Sequence, residues 1–459
     1  MEPALIPAFL FDLVRLRRHD RWSTAQFAAD QARALARLRA HAVAHSPFYR
    51  ELHRGLETAP LEELPIVTRA ALLERFDEIV TDRRIRLADV QHHLATAPAD
   101  ARYLGRYRVS TTTGSSGGNV SIIVVTPREW AFDLASTART RDLAGLPWNP
   151  LHRYRTAFLL APLRWFASAK AASSYDSRFA PQRILDPNAP VREIVRDLNA
   201  YQPHILSGYS TVIAMLADEQ LAGRLRIRPR LVTTGGEMTL PEIRRRVAEA
   251  WGDEPFDYYG TSEGGSLAAE CRQGRRMHLF EDTTIVEVVD EQNRPVPPGT
   301  LGARVLVTPL WPMVQPLIRY EITDVVRMAP DPCPCGRQTR TLDGIQGRRS
   351  TVIELPATDG SGTVRVRSMA FATHWVELPA TWRSWKMVDG TFVASFAGVP
   401  ATSDTRPLAE SIRREFAAHG AVVPPIEIRL LPEIPRAPSG KAALASPAGD
   451  DVEAGSRAR

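Results

Sequence analysis

Hydrophobic positions change their period several times along the chain, and each change marks an element. Over residues 8–46 leucines and alanines recur three and four apart among arginines, which predicts helix. The apolar run at 4–14 is broken by Pro7 and Asp12, and no small-residue cleavage site follows. It reads as a buried amphipathic helix rather than a signal peptide. Leu64-Pro65-Ile66-Val67-Thr68 leads into a helix expected over 69–79, with Thr68 as its N-cap. From residue 120 the pattern alternates. Strands are expected at 120–125, 156–161, 204–209, 230–234 and 256–259, and helices at 127–145, 191–198, 210–221 and 240–251.

That alternation predicts an α/β fold: a mostly parallel sheet covered by helices, with ligands beyond the carboxyl ends of its strands. Strands at 285–290 and 303–308, joined by a turn over 293–302, predict a more antiparallel part. Residues 343–349 hold two glycines and two arginines and are a candidate hinge. Beyond about 350 the pattern shortens. Strands near 363–366, 385–388, 391–396 and 426–430 and a helix at 407–419 predict a small α+β domain of about 100 residues. The expected division is a large domain over 1–347, a small mobile domain over 348–445, and a disordered tail over 446–459.

Composition narrows the class. The 459 residues, 44% hydrophobic and 24% charged, suit a soluble chain of two or more domains. A net charge of +6 is spread along the chain, and only Lys170, Lys386 and Lys441 among 58 basic residues are lysine. This is a compositional bias toward arginine, so no nucleic-acid partner is expected. No stretch approaches the roughly 20 apolar residues of a membrane span. The three cysteines argue against a disulfide framework and for a reducing, cytoplasmic setting.

Chemistry-bearing residues gather at the expected strand ends. Ser110–Gly118 carries six hydroxyl side chains and three glycines in nine residues. Such a loop between two strands can turn N–H groups and hydroxyls toward one anion, above all a phosphate. No Gly-Lys-Ser/Thr follows, so it is not a P-loop. Gly235-Gly236-Glu237 and Tyr259-Gly260-Thr261-Ser262-Glu263 end two further strands. Gly260-Thr261-Ser262-Glu263-Gly264 also fits a nucleophile elbow, which would make Ser262 the nucleophile of a serine hydrolase, with Asp324 and His374 or His419 as partners.

Taken in order, these motifs resemble the adenylate-forming (acyl-CoA synthetase) superfamily, and within it the phenylacetate–CoA ligase family. Thr112, Thr113, Gly114, Ser115, Ser116 and Gly117 match its phosphate-binding signature. Gly235, Gly236 and Glu237 match its adenine-edge motif, and Tyr259, Gly260, Thr261, Ser262 and Glu263 its Tyr-Gly-x-Thr-Glu motif. Arg319-Tyr320 with Asp324 matches the ribose-binding segment, Gly347-Arg348 the hinge, and Pro438-Ser439-Gly440-Lys441 the C-terminal lysine motif. The resemblance runs from about residue 40 to 349 and returns at 432–442. It implies ATP-dependent activation of a carboxylic acid, first of all an aryl or arylacetic acid, to an acyl-adenylate with release of pyrophosphate, followed by transfer to CoA.

On that reading the loop binds the ATP phosphates, Glu263 holds Mg²⁺, Tyr259 stacks on adenine, Asp324 takes the ribose hydroxyls, and Arg348 belongs to the hinge. Lys441 neutralises charge as the α-phosphate is attacked. The acid pocket is expected around Tyr209 and the Gly235–Gly236 end, and a homodimer by family habit. The chain also departs from the pattern. The glycine loop lacks a lysine and has Asn119 where relatives have proline; Arg349, Ser350 and Thr351 replace the acidic residues after the hinge; and no glycine-containing CoA-channel segment is recognisable over 351–369. An amine or a carrier protein is therefore an alternative acceptor, and a non-catalytic nucleotide-binding paralogue an alternative function.

Cys271 and His278 lie seven apart, and Cys333 and Cys335 follow in Cys-Pro-Cys-Gly, so every cysteine of the chain is used. Cys₃His is the donor set of a closed structural zinc site, and the arrangement resembles a feature of some phenylacetate–CoA ligase relatives. The alternative is three buried thiols beside a surface histidine.

Overall fold

The N-terminal helical run divides in two. Ser23 is extended and caps the second helix in a reciprocal box with Gln26, so α1 (Ile6–His19) stops short of α2 (Thr24–His45) instead of continuing into it. In this computed structural model residues 3–98, 100–111, 121–147, 152–161, 165–177, 180–348, 352–367, 382–397, 399–432, 436 and 440–442 are described. After α3 (Pro47–Leu52), Thr68 caps α4 (Arg69–Glu74) by accepting the Ala71 N–H. The expected single helix breaks at Arg75 and resumes as α5 (Phe76–Ile79). The helix α6 (Leu87–Thr96) is not among the expected elements, and it buries only Val90 fully.

Next, β1 (Arg108–Thr111) and β2 (Ile122–Val125) pair antiparallel, with Thr111 opposite Ile122. The glycine loop therefore joins two strands, as expected. A second capping box, Thr126 with Glu129, starts α7 (Pro127–Leu143). The alternating region then delivers β3 (Thr156–Leu159), α8 (Ala167–Ser174), β4 (Gln182–Leu185), α9 (Val191–Tyr201), β5 (Ile205–Gly208), α10 (Ser210–Leu221), β6 (Leu231–Gly235), α11 (Pro241–Trp251) and β7 (Phe256–Thr261). Strands β4, β3, β5, β6 and β7 are parallel neighbours.

The sheet does not stay parallel. β8 (Gly265–Glu270) and β9 (Met277–Leu279) fold back antiparallel, and after β10 (Thr284–Val289), β11 (Arg304–Pro309) and β12 (Tyr320–Ile322) the strands β13 (Asp324–Met328) and β14 (Thr341–Arg348) complete it. Its order is β13-β14-β9-β8-β7-β6-β5-β3-β4 among the described residues, while β10, β11 and β12 form a separate antiparallel sheet.

Alternation assigns the two faces. Leu159, Leu206 and Val232 are buried against α9, α10 and α11, where Val212, Ile213, Leu216, Ile243 and Val247 close the core. Phe158, Ser207, Thr233, Gly235 and Tyr258 line the opposite face, toward α7 and α8, along a large cavity. The strands and helix expected in the C-terminal part are present, with one further strand, at 352–356, that is not among the expected elements. A hairpin of β15 (Val352–Pro356) and β16 (Thr363–Arg367) accompanies the sheet β17-β18-β19 (Trp382–Val388, Thr391–Ala397, Ile426–Leu431), and α12 (Arg406–Ala418) covers that sheet through Leu408, Ile412 and Phe416. No helix among the described residues is long and apolar enough to cross a membrane.

Candidate active site and metal centre

The parallel strands end in the residues singled out above, and a cavity of about 1330 Å³ opens there. Gly235, Gly236, Glu263, Asp324 and Lys441 all line it. Gly236, just past β6, has φ +75°, a left-handed backbone that favours glycine. A Cβ at that position would sit 3.2 Å from Lys441 Cε and 3.2 Å from the Tyr209 ring, so the absent side chain also admits the lysine. The Lys441 ammonium lies 5.7 Å from the centre of the Tyr209 ring. The C-terminal lysine and the Gly-Gly-Glu turn, two hundred residues apart, are thus in contact.

Glu237 makes that contact possible. Its Oε2 accepts from the Thr211 N–H (3.1 Å), the Thr211 hydroxyl (2.8 Å) and the Ser210 hydroxyl (3.3 Å) at the start of α10. Its Oε1 accepts the N–H of Ala442 at 2.6 Å. Arg436 donates to the Thr211 hydroxyl (2.8 Å) and the Gly440 carbonyl (3.1 Å). One carboxylate and one guanidinium therefore tie the lysine segment to the N-terminus of α10. The adenine-edge expectation for Glu237 concerns a carboxylate already engaged on both oxygens.

At the neighbouring strand ends the Tyr259 hydroxyl donates to Asp324 Oδ2 at 2.9 Å, both residues being buried. Glu263 is half-buried in the β7–β8 turn, 3.5 Å from the Tyr320 hydroxyl. Burial and the Glu263 charge hold that phenol above its usual range. Arg348, the last residue of β14, pairs with Asp324 in the ladder. Arg319 serves elsewhere: it bonds Glu287 and the Leu64 carbonyl inside the core. Thr112, Thr113, Gly114, Ser115, Ser116 and Gly117 lie outside the described residues.

The hydrolase alternative fails on geometry. An elbow needs a strand, a sharp turn and a helix, but the turn at Ser262 leads from β7 into the antiparallel strand β8. Asp324 is bonded to Tyr259, and the His419 ring faces the Glu415 carbonyl at 3.0 Å. His374 lies outside the described residues.

Sequence reasoning passed over three groups: Arg436, which holds the lysine segment, and Tyr258 and Asp133, which line the cavity. Arg436 carries no motif. Tyr258 shares a motif strand but points to the opposite face from Tyr259. Asp133 lies on α7, one turn before Thr137 and two before Arg141, and all three line the cavity. Their i, i+4, i+8 spacing in a helix otherwise rich in buried residues was the available signal.

The second constellation lies at the far end of β8. Cys271 follows that strand, His278 is in β9, and Cys333 and Cys335 come from the β13–β14 loop. Their ligand atoms all lie within 4.8 Å of one another. Cys271 and Cys333 Sγ are 3.5 Å apart, and Cys335 Sγ is 3.2 Å from His278 Nε2. Edges of about 3.8 Å follow from zinc–sulfur bonds of about 2.3 Å in a tetrahedron, so the four atoms fit a common ion.

The surroundings fit as well. His278 Nδ1 is 2.9 Å from the Thr339 hydroxyl, which aims Nε2 at the sulfurs. The Gly274 N–H donates to Cys271 Sγ, and a Cβ on Gly274 would lie 2.3 Å from Cys333 Sγ. Burial opposes a Cys271 thiolate, but hydrogen bonds from His278 and from the Gly274 and Arg276 N–H groups outweigh it and draw the pKa to about 7. His278 is buried, so the alternative of a surface histidine does not hold.

No protein-family model matches the chain. It is 33% identical over 123 residues to the phenylacetate–coenzyme A ligase of Thermus thermophilus, which covers 26% of this chain and 27% of that protein. To the phenylacetate–coenzyme A ligase of Pseudomonas putida it is 30% identical over 168 residues, or 35% and 37% of the two chains. The matches thus span between a quarter and two fifths of the relatives' length. In structure it is similar to 2-hydroxyisobutyryl-CoA ligase. The TM-score is 0.69 against the postadenylation state in complex with 2-HIB-AMP, at 19% identity over 95% of this chain and 92% of that one. It is 0.58 against the thioesterification state with 2-HIB-AMP and CoA. The chain has the fold of the adenylate-forming CoA ligases, and in sequence it is similar to phenylacetate–coenzyme A ligases.

Proposed function

We propose that the protein activates a carboxylic acid with ATP, forming an acyl-adenylate and pyrophosphate, and then transfers the acyl group to CoA. The observation that carries this reading is the meeting of Lys441 with Gly236 and Tyr209 in a cavity that also holds Glu263 and Asp324. An attack by a carboxylate on the α-phosphate brings anions together, and a compact ammonium at that point stabilises the charge that develops. Asp324, held by Tyr259, accepts the ribose hydroxyls. The hydroxyls and amides of residues 112–117 take the β- and γ-phosphates. Glu263 offers a hard oxygen that would hold Mg²⁺, and the ion would supply positive charge against the substrate phosphates.

Four buried or half-buried donors at tetrahedral spacing support a structural Zn²⁺ at Cys271, His278, Cys333 and Cys335. It would clip the β8–β9 turn to the β13–β14 loop and take no part in the chemistry. The boundary near 347–348, where β14 ends, is the hinge about which the small domain would move between the two half-reactions.

Exchange of labelled pyrophosphate into ATP, dependent on an added acid, tests adenylation alone. Loss of free thiol on adding CoA tests transfer. Exchange without thiol loss moves the acceptor to an amine or a carrier protein. No exchange over a broad panel of aryl and alkyl acids, with Mg·ATP binding unaffected by Glu263→Gln, replaces the ligase with a nucleotide-binding paralogue.

A further inference from the structure

The wall that α7 contributes to the cavity holds a carboxylate that acyl-adenylate chemistry does not call for. Asp133 is one of the residues that line the cavity, as Phe158 and Ala171 are. Among the described residues it accepts one hydrogen bond, from the Ser266 N–H. Its Oδ1 rests against Gly265, where a Cβ would come within 2.7 Å. Gly265 opens β8 two residues after Glu263, so Asp133 stands beside the strand end that bears the reacting groups.

Two hydroxyls described near Asp133, those of Tyr175 and Thr137, are engaged elsewhere. Tyr175 donates to the Leu134 carbonyl at 2.5 Å, and the Thr137 hydroxyl is paired with Ser266 Oγ at 2.8 Å. Arg141, two turns along α7, lies over the Tyr154 ring at 5.5 Å and beside Asp142. Burial pushes the Asp133 carboxyl up to about 6, and no cation of the described residues offsets that shift. It is therefore still mostly ionised at neutral pH.

An ionised carboxylate kept in a desolvated wall without a cation is costly to the folded protein. Bracing α7 to β8 through the Ser266 N–H would need only a neutral acceptor. A ligand that donates to the carboxylate recovers the cost, and a ligand of the same shape without a donor does not. We infer that Asp133 selects the substrate: the acid carries a hydrogen-bond donor, an amino or hydroxyl group, that the Asp133 carboxylate accepts. This rests on the ligase reading above and sharpens its acid from aryl acids in general to donor-substituted ones. Plain and methyl-substituted acids then leave Asp133 unpaired and are discriminated against.

The test is pyrophosphate exchange with matched benzoic and phenylacetic acids bearing amino, hydroxyl or methyl groups at each ring position. The wild-type protein is expected to favour at least one amino or hydroxy acid over its methyl counterpart by about tenfold or more in kcat/KM. Asp133→Leu should invert that preference. Asp133→Asn, which can still accept the Ser266 N–H, should lose preference for the amine more than for the hydroxyl, with a melting temperature near that of the wild type. Exchange that never favours a donor, or a preference that survives both substitutions, overturns the inference and leaves the ligase reading standing. Absence of exchange with every acid overturns both.

Discussion

Glu237→Gln is the change that most directly tests how the lysine segment is held. The carboxylate uses both oxygens: one takes three donors from Ser210 and Thr211, the other takes the Ala442 N–H. Glutamine has one acceptor oxygen and one NH₂ group. With its oxygen toward α10, the NH₂ faces the Ala442 N–H, donor against donor. Flipped, it faces the Thr211 N–H instead. Either way one charge-assisted hydrogen bond is lost, worth about 1.5–3 kcal/mol. At about 1.4 kcal/mol per factor of ten, the docked population falls roughly tenfold to a hundredfold. Lys441 is the residue before Ala442, so the adenylating arrangement falls with it.

Acid-dependent pyrophosphate exchange should drop by that factor. Consumption of a supplied acyl-adenylate in the presence of CoA should stay at the wild-type rate, because the proposed function gives Lys441 a part in the first half-reaction only. Exchange at the wild-type rate would show that the segment docks without Glu237. Equal losses in both half-reactions would make Glu237 a structural strut of α10, and the link drawn from Glu237 through Ala442 to Lys441 would be wrong.

Three further outcomes are expected. Lys441→Ala should cost roughly 10²–10³ in exchange while still consuming a supplied acyl-adenylate, as for the loss of one group that stabilises developing charge; near wild-type exchange removes Lys441 from the chemistry. Elemental analysis should find about one zinc per chain, and Cys333→Ser should lower both zinc content and melting temperature; zinc-poor protein whose Cys333 alkylates freely rejects the site. His53 is buried, with its pKa lowered from 6.5 to about 4 by burial and then by Arg39. The unfolded chain therefore binds the extra proton first, and the stability His53 contributes, complete above about 6.5, is lost as the pH falls toward 4; His53→Leu should flatten the fall in melting temperature between pH 7 and 5, and an unchanged slope refutes the assignment.

Much of the fold was legible because its strands and helices alternate with clean periods. The helix over 210–221, an apolar run buried over most of its length, and the strands of the C-terminal part sit where the pattern puts them. The breaks were harder. Ser23 with Gln26 is a readable start signal, but the helical stripe on both sides masks it. Arg75 leaves the α region between two helical turns without a glycine or proline to announce it. Strands β8 and β13 pair with their sequence neighbours, but β9 also takes β14, from a distant part of the chain, and that pairing has no local signature.

The site was legible in its motifs and opaque in its supports, for a physical reason. Residues that meet a nucleotide must come in fixed types and order, so Gly236, Glu263, Asp324 and Lys441 announce themselves. Residues that hold them in place need only reach, and any donor or acceptor at the right distance will do. Glu237 matched a motif, yet both its oxygens serve α10 and Ala442. Arg436 matched none, yet it donates to the hydroxyl of Thr211 and the carbonyl of Gly440. Asp133 was hidden differently. One carboxylate on a helix is ordinary in a sequence, and it becomes informative only when the fold places it in the cavity wall with one N–H for a partner. The arginine-rich composition sharpens the contrast at Lys441. This chain uses arginine almost everywhere, yet the residue packed over Gly236 is a lysine, whose compact ammonium a planar guanidinium does not replace.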